Sequence, residues 1–204
     1  FRRVLFRSTF YARGSKSARI NQIGFGQGEN NANYQVKLDS MRIATYWQKY
    51  VIPIPDASKL TAESGLFWFA ENPEDGDGYS FWIDDLQFET LGNIAQSRPV
   101  INNGLDSQIF SSVNLSASIT GFSYTANTIV LLPDETTTSR DVTLEIAPSY
   151  FDFNSSNPAV ATVDQFGVIN MVGEGTSTIT ATLDGTVALR SEEHTSELQS
   201  PDHL

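Results

Sequence analysis

Short strand-like runs constrain the fold of this chain more than any other feature. Val, Ile, Thr and aromatic residues cluster in these runs, and Gly, Pro, Asn and Asp separate them. Within the runs, apolar and polar residues alternate with the period of two that is typical of β-strands. The sequence therefore predicts an all-β protein, with strands near 9–13, 19–27, 34–39, 48–54, 65–71 and 79–90, and a second set from about residue 115.

The two ends of the chain are related at the level of coding DNA. "FRRVLFRS" (1–8) can be written TTC AGA CGT GTG CTC TTC CGA TCT, whose opposite strand encodes R-S-E-E-H-T-S-E, the sequence of residues 190–197. A shared artificial oligonucleotide explains this relation, whereas two ends of a natural domain do not. We therefore expect residues 1–8 and 190–204, with both histidines His194 and His203, to be translated sequencing adapter.

Composition excludes several partners. The chain has 24 acidic and 13 basic residues, a net charge of −11, so it repels nucleic-acid phosphates. No apolar run approaches the roughly 18 residues that span a bilayer, which predicts no membrane span. Cysteine is absent, and the Thr-, Ser- and Asn-rich strands are typical of an exported bacterial protein, located outside the cell or on its surface. The oligomeric state does not follow from the sequence.

Catalytic groups are scarce. With no Cys, and with both His in the predicted adapter, neither a Ser-His-Asp nor a Cys-His arrangement can be assembled. A glycosidase needs two carboxylates that flank one bond, and the adjacent Asp84 and Asp85 would point to opposite faces of a strand. We predict that the chain is not an enzyme and that any catalytic domain lies outside it.

The strand pattern is interrupted once. "LGNIAQSRPVINNGLDSQIFSS" (91–112) contains Gly, Pro, Asn and Ser without a sustained period, so we place an interdomain linker at 92–112. The predicted domains are 9–91 and 113–189, between the adapter-derived ranges 1–8 and 190–204.

The second domain carries the more specific motif. "FNSSNPAVATVDQFGVINMVGEGTSTITATL" (153–183) contains a Ser-Ser-Asn-Pro turn, a hairpin around Asp164–Gly167, and a Thr-rich strand. It resembles the bacterial Ig-like domain, group 2, although Phe153 stands where that family often has Trp. The resemblance implies an Ig-like β-sandwich that serves as a spacer or adhesive module and has no catalytic residues.

The first domain resembles another family. "FYARG", "YWQKYVIPI", "GLFWFAENP" and "FWIDDLQFE" are similar to the C-terminal part of a carbohydrate-binding jelly roll of the galactose-binding-like kind. The predicted fold is thus a partial jelly-roll β-sandwich followed by an Ig-like β-sandwich. The resemblance implies polysaccharide as the partner.

Asp84 is the candidate metal ligand. The period of two places it on one face with Trp82, Leu86 and Phe88, where a carboxylate is costly unless it is solvated at the sheet margin or bound to a cation such as Ca²⁺. The family resemblance implies a structural calcium, with the first Asp of the closing pair, Asp84 here, as one ligand. We expect the opening strand and its ligands to precede residue 9, so calcium is predicted for the complete domain.

Sugar binding requires flat aromatic faces and polar groups for the hydroxyls. The candidate carbohydrate-binding residues are Tyr34, Tyr46, Arg42, Trp47 and Trp68. Aromatic residues of a β-sandwich ordinarily pack in the core, and that is the expectation for Trp47, Trp68 and Trp82 unless they contact a ligand. We predict a non-catalytic carbohydrate-binding and spacer fragment, accessory to a polysaccharide-degrading enzyme; the alternative is a structural or adhesive cell-surface protein with Ig-like modules.

Overall fold

The computed structural model describes residues 5–28, 32–61, 65–73, 76–91, 97–131, 137–189 and 197–199. The predicted all-β class is confirmed, because helical structure in these residues is limited to 3₁₀ turns of three residues each. The strands, in chain order, are β1 (Leu5–Gly14), β2 (Ala18–Phe25), β3 (Val36–Ile43), β4 (Gln48–Ile54), β5 (Trp68–Ala70), β6 (Phe81–Leu91), β7 (Ser97–Val100), β8 (Ile109–Phe110), β9 (Ser116–Ser118), β10 (Ser123–Leu131), β11 (Thr137–Ile146), β12 (Asp152–Ser155), β13 (Ala161–Val163), β14 (Val168–Met171), β15 (Thr176–Leu183), β16 (Thr186–Val187) and β17 (Glu197–Gln199).

The chain forms two compact units. Unit 1 contains residues 1–97 and 124–146, and unit 2 contains residues 98–123 and 147–204. Residues 124–146, which the sequence assigned to the second domain, thus lie with unit 1, where β11 pairs with β3. The predicted domain limits and adapter ranges stay predictions; residues 1–4, 190–196 and 200–204 of those ranges lie outside the described residues.

Unit 1 is built from two antiparallel sheets. In the first sheet β1 lies between β4 and β6, and in the second the strands of unit 1 follow the order β5-β2-β3-β11-β10. Phe10 of β1 is fully buried, stacks on Tyr50 of β4 at a centroid distance of 5.6 Å, and meets the edge of Phe67. Full burial of a side chain of this kind stabilises the fold by about 1.5–3 kcal/mol.

A β-bulge changes the predicted faces of β6. The register between β1 and β6 shifts between Thr9 and Tyr11, and Asp85 has a left-handed φ of 50°. Phe88 pairs with Ser8, on the buried side of β1, and its ring approaches that of Phe25. The prediction of one continuous face through Trp82, Asp84, Leu86 and Phe88 is therefore wrong, because one extra residue at the bulge reverses the alternation.

Unit 2 has an apolar core. Strands β13, β14 and β9 form one antiparallel sheet, and in the other β15 pairs with β12, β16 and β17, while β17 also pairs in parallel with β8. Ala161, Ile169, Met171 and Ile179 form the buried cluster. The predicted hairpin turn is present, with Asp164 accepting hydrogen bonds from the backbone N–H groups of Phe166 and Val168, both at 2.9 Å.

The Ser-Ser-Asn turn is held by the buried hydroxyl of Ser177 on β15. This hydroxyl accepts from the backbone N–H of Asn157 at 3.0 Å and shares a hydrogen bond of 2.8 Å with the hydroxyl of Ser155. The hydroxyl of Ser156 accepts from the backbone N–H of Thr178 at 2.8 Å. The polar groups of the turn and of β15 thus form hydrogen bonds with each other, so that the buried hydroxyl of Ser177 has partners.

The bulge gives a test of the fold. We expect Asp85→Gly to leave stability nearly unchanged and Asp85→Val to lower the free energy of unfolding by about 1–2 kcal/mol, because a β-branched residue is strained at a left-handed φ. Urea unfolding followed by tryptophan fluorescence measures the difference. Gln87→Val on the same strand is the control and should be neutral. Equal stability of the two Asp85 variants would contradict the bulge.

Candidate functional site

The outer face of the first sheet carries exposed aromatic and charged side chains. Tyr11 is paired with Lys49 on one side and Asp84 on the other, and Arg13 is paired with Trp82. Directly opposed residues of an antiparallel pair share a face. The next residues along β1, Phe10 and Ala12, are fully buried, so the Tyr11 side of the sheet faces away from the core.

Arg13 lies between two indole rings. Its guanidinium carbon is 5.3 Å from the ring centroid of Trp47 and 4.7 Å from that of Trp82, within the range of cation–π contacts. Trp47 is 42% exposed and Trp82 is 44% exposed, so the core expectation for these two is wrong. We call Tyr11, Arg13, Trp47 and Trp82 the outer aromatic face. It combines flat apolar rings with a guanidinium group, and sugar-binding sites use aromatic faces together with polar groups.

On the same side of the sheet, a network of hydrogen bonds centred on Glu89 ties the three strands together. One carboxylate oxygen accepts from Arg7 Nε at 3.2 Å and from Lys49 Nζ at 3.0 Å. Burial raises the pKa of Glu89, but the hydrogen bonds from Lys49 and Thr9 and the charges of Arg7 and Lys49 outweigh burial and hold the pKa below its usual value. Glu89 therefore joins β6 to both β1 and β4 in its ionised form.

The remaining predicted aromatic residues do not form one group. Tyr46 is 57% exposed in the turn between β3 and β4, next to Trp47. Trp68 is half-buried on β5, where its indole N–H donates to the carbonyl of Phe25 at 3.3 Å. Tyr34 is also half-buried and lies just before β3, which is a strand of the second sheet. Carbohydrate binding by Tyr34, Tyr46 and Trp68 stays a prediction.

Arg42, the predicted polar contact, lines a groove of about 370 Å³ within unit 1. The ladder between β3 and β11 joins Lys37 to Glu145 and Val36 to Ile146, with an ion pair of 2.8 Å between Lys37 and Glu145. The groove is lined by residues 38–42 of β3, residues 140–143 of β11 and residues 48–51 of β4.

The predicted metal ligand Asp84 is exposed on β6. One of its carboxylate oxygens accepts a hydrogen bond of 2.9 Å from the backbone N–H of Asp85. Calcium takes six to eight oxygen ligands, and no three His, Cys, Asp or Glu side chains converge anywhere in the described ranges. The described surroundings of Asp84 therefore do not fit a calcium site, and calcium in the complete domain stays a prediction.

Some residues of these surfaces were not selected from the sequence. Arg13 was overlooked, although the alternation in "FYARG" places it on the face of Tyr11, and Trp82 was assigned to the core. Arg19 and Arg140 line the groove with Arg42, but β2, β3 and β11 are far apart in sequence, and no local pattern links them.

The comparisons with known proteins concern unit 2. A family model described as "Intimin, immunoglobulin-like domain" matches residues 149–186, which contain β12 to β16. No curated protein matches the chain significantly. The match supports a bacterial Ig-like domain and indicates a bacterial cell-surface or adhesin-like module, a class that is typically non-catalytic. Among the described residues, no helix has the length and apolar character required to cross a bilayer.

Glu89 gives a prediction on pH. A carboxylate whose pKa is lowered by folding stabilises the folded state above its unfolded pKa of about 4.3 and loses that effect as the pH falls through the folded pKa. We expect Glu89→Gln to cost about 0.5–1 kcal/mol at pH 7, because the ion pairs are partly exposed, and progressively less as the pH falls below about 4.3. Urea unfolding at several pH values measures this, and Asp77→Asn, at an exposed site, is the control. A difference that does not depend on pH would contradict the network.

Proposed function

We propose that this chain is a non-catalytic carbohydrate-binding and spacer segment of an exported bacterial protein. Unit 1 binds polysaccharide, and unit 2 is a group 2 Ig-like spacer. In the whole protein, the segment keeps a polysaccharide-degrading catalytic domain close to its substrate.

The stack of Trp47, Arg13 and Trp82 carries this proposal. Large aromatic side chains usually bury their surface, so two indoles that stay more than two-fifths exposed on one sheet face require an explanation. The guanidinium of Arg13 contacts one face of each indole ring. These contacts limit the rotation of both rings before a ligand binds. A preorganised aromatic surface loses less entropy on binding, and this supports a role in ligand recognition.

Polar groups beside the rings suit sugar hydroxyls. Tyr11 and Asp84 lie next to Arg13 and Trp82 along the same face, and Lys49 borders it on β4. A pyranose could stack its C–H face on an indole while its hydroxyls bond to these side chains. The face is open along the sheet, which suits a chain of sugars.

An adhesive cell-surface protein is the second candidate. The match of residues 149–186 to an intimin Ig-like domain favours it, since such a module can serve adhesion as well as spacing. The neighbouring coding DNA distinguishes the two candidates. A catalytic domain in the same frame would support the accessory role, and further Ig-like repeats would support adhesion.

Affinity electrophoresis of the full chain tests carbohydrate binding. Native gels would contain soluble β-glucans, galactans or acidic polysaccharides. We expect retardation in at least one gel, and we expect Trp47→Ala or Trp82→Ala to raise the dissociation constant roughly three- to tenfold, since one aromatic contact is lost. Trp82→Phe keeps a flat ring and should retain most of the affinity.

Phe110→Ala is the matched control for this experiment. Phe110 is 62% exposed but lies in unit 2, so its removal should not alter retardation. Near-ultraviolet circular dichroism and thermal unfolding verify that each variant is folded. If the wild-type chain moves without retardation in every gel, the carbohydrate-binding function is wrong. If both Trp→Ala variants are retarded as strongly as the wild-type chain, the binding site does not lie on the outer aromatic face.

A further inference from the structure

We propose that the groove between β3, β11 and β4 binds the carboxylate of a uronic acid residue, so that the polysaccharide recognised by unit 1 is an acidic one. This inference rests on the proposed carbohydrate-binding function and names its substrate class. The residues that line the groove do not include any residue of the outer aromatic face.

The groove concentrates positive charge in an acidic chain. The sequence has a net charge of −11, yet three arginines, Arg19, Arg42 and Arg140, line this groove against Asp39 and Asp141. Lys49 lines it as well, with its charge paired to Glu89 at 3.0 Å. Both acids have partners, because Asp39 lies 3.8 Å from Lys37 and Asp141 accepts from Asn127 at 2.8 Å. The local surplus of cations is what an anionic ligand requires.

Two of the arginines face each other across a strand pair. Arg19 and Arg42 are directly opposed in the ladder between β2 and β3, and both side chains are exposed. Directly opposed residues of an antiparallel pair share a face, so one anion can contact both guanidinium groups.

Arg140 approaches the groove from the other strand. Its backbone carbonyl accepts a hydrogen bond of 3.2 Å from the hydroxyl of Thr128, which fixes this part of β11. Tyr50 of β4 lines the same groove as Arg140. Arginines thus line the groove from β2, β3 and β11.

The groove also suits a sugar rather than a small inorganic anion. Its volume of about 370 Å³ falls in the range of small-ligand sites, about 300–1,000 Å³. Leu38, Met41 and Val51 supply apolar surface for the C–H groups of a ring, and the planar forks of arginine match a carboxylate. Gln48 and Lys49 follow Trp47 directly, so one glycan chain could pass from the outer aromatic face into the groove.

Affinity electrophoresis of the full chain separates the possible ligands. The gels contain polygalacturonate, the methyl-esterified form of the same polymer, or dextran sulfate, and each mobility is compared with that in a gel without polymer. We expect retardation by polygalacturonate that weakens with salt and is at least about tenfold weaker for the neutral ester, since charge-assisted hydrogen bonds are lost. Equal retardation by dextran sulfate would overturn the assignment to a carboxylate.

Substitutions locate the site. Arg42→Gln and Arg140→Gln should each raise the dissociation constant for polygalacturonate about tenfold, whereas Arg98→Gln, the same change at an exposed position in unit 2, should alter it less than about twofold. Arg42→Lys should bind with intermediate strength, because lysine keeps the charge but lacks the fork. Thermal unfolding verifies that the variants fold.

The outcomes also distinguish this inference from the function on which it rests. Retardation by neutral glycans that Trp82→Ala weakens, together with no retardation by polygalacturonate, would overturn the groove as a uronate site and leave the carbohydrate function intact. Equal loss of polygalacturonate binding in the Arg42, Arg140 and Arg98 variants would show general charge attraction and overturn it as well. Absence of binding to every polymer would overturn both.

Discussion

The register of β1 is the constraint on which the rest of unit 1 depends. This strand lies between β4 and β6, so its pairing fixes both edges of the first sheet. Phe10 and Ala12 point into the core, while Tyr11 and Arg13 point outward. A slip of one residue would bury the guanidinium and expose the phenyl ring, which is costly on both faces. The register of β1 therefore determines both the core packing and the geometry of the outer aromatic face.

Local sequence patterns were sufficient to predict part of this architecture. The strand predicted at 48–54 coincides with β4, and the hairpin around Asp164–Gly167 is closed by the aspartate and glycine that suggested it. The hydrogen bonds that close the hairpin lie within five consecutive residues, and the strand could be predicted from its own run of apolar residues. The face of Arg13 was also readable, since "FYARG" alternates between core and surface along a single strand.

The parts that could not be predicted depend on distant residues. Trp47, Arg13 and Trp82 meet because β1 lies between β4 and β6, and a period of two does not specify which strands are neighbours. The bulge at Asp85 follows from the register against β1, and it moved Phe88 to the side of Phe25. The groove forms because β11 pairs with β3. The sequence did not indicate this pairing, since residues 124–146 directly precede the Ig-like motif and were assigned to its domain. Pairings of this kind are decided by packing between elements, which sequence periodicity does not contain.

The charge of the chain and the charge of the groove act over different distances. At physiological ionic strength, screening reduces interactions between exposed charges beyond about 8 Å. A carboxylate inside the groove would therefore interact mainly with the arginines that line it, while most of the net charge of −11 would be screened. On the proposed function, an acidic polymer would be favoured where guanidinium groups are within contact distance and disfavoured beside the carboxylates of the surface, so the position of the arginines would determine where it binds.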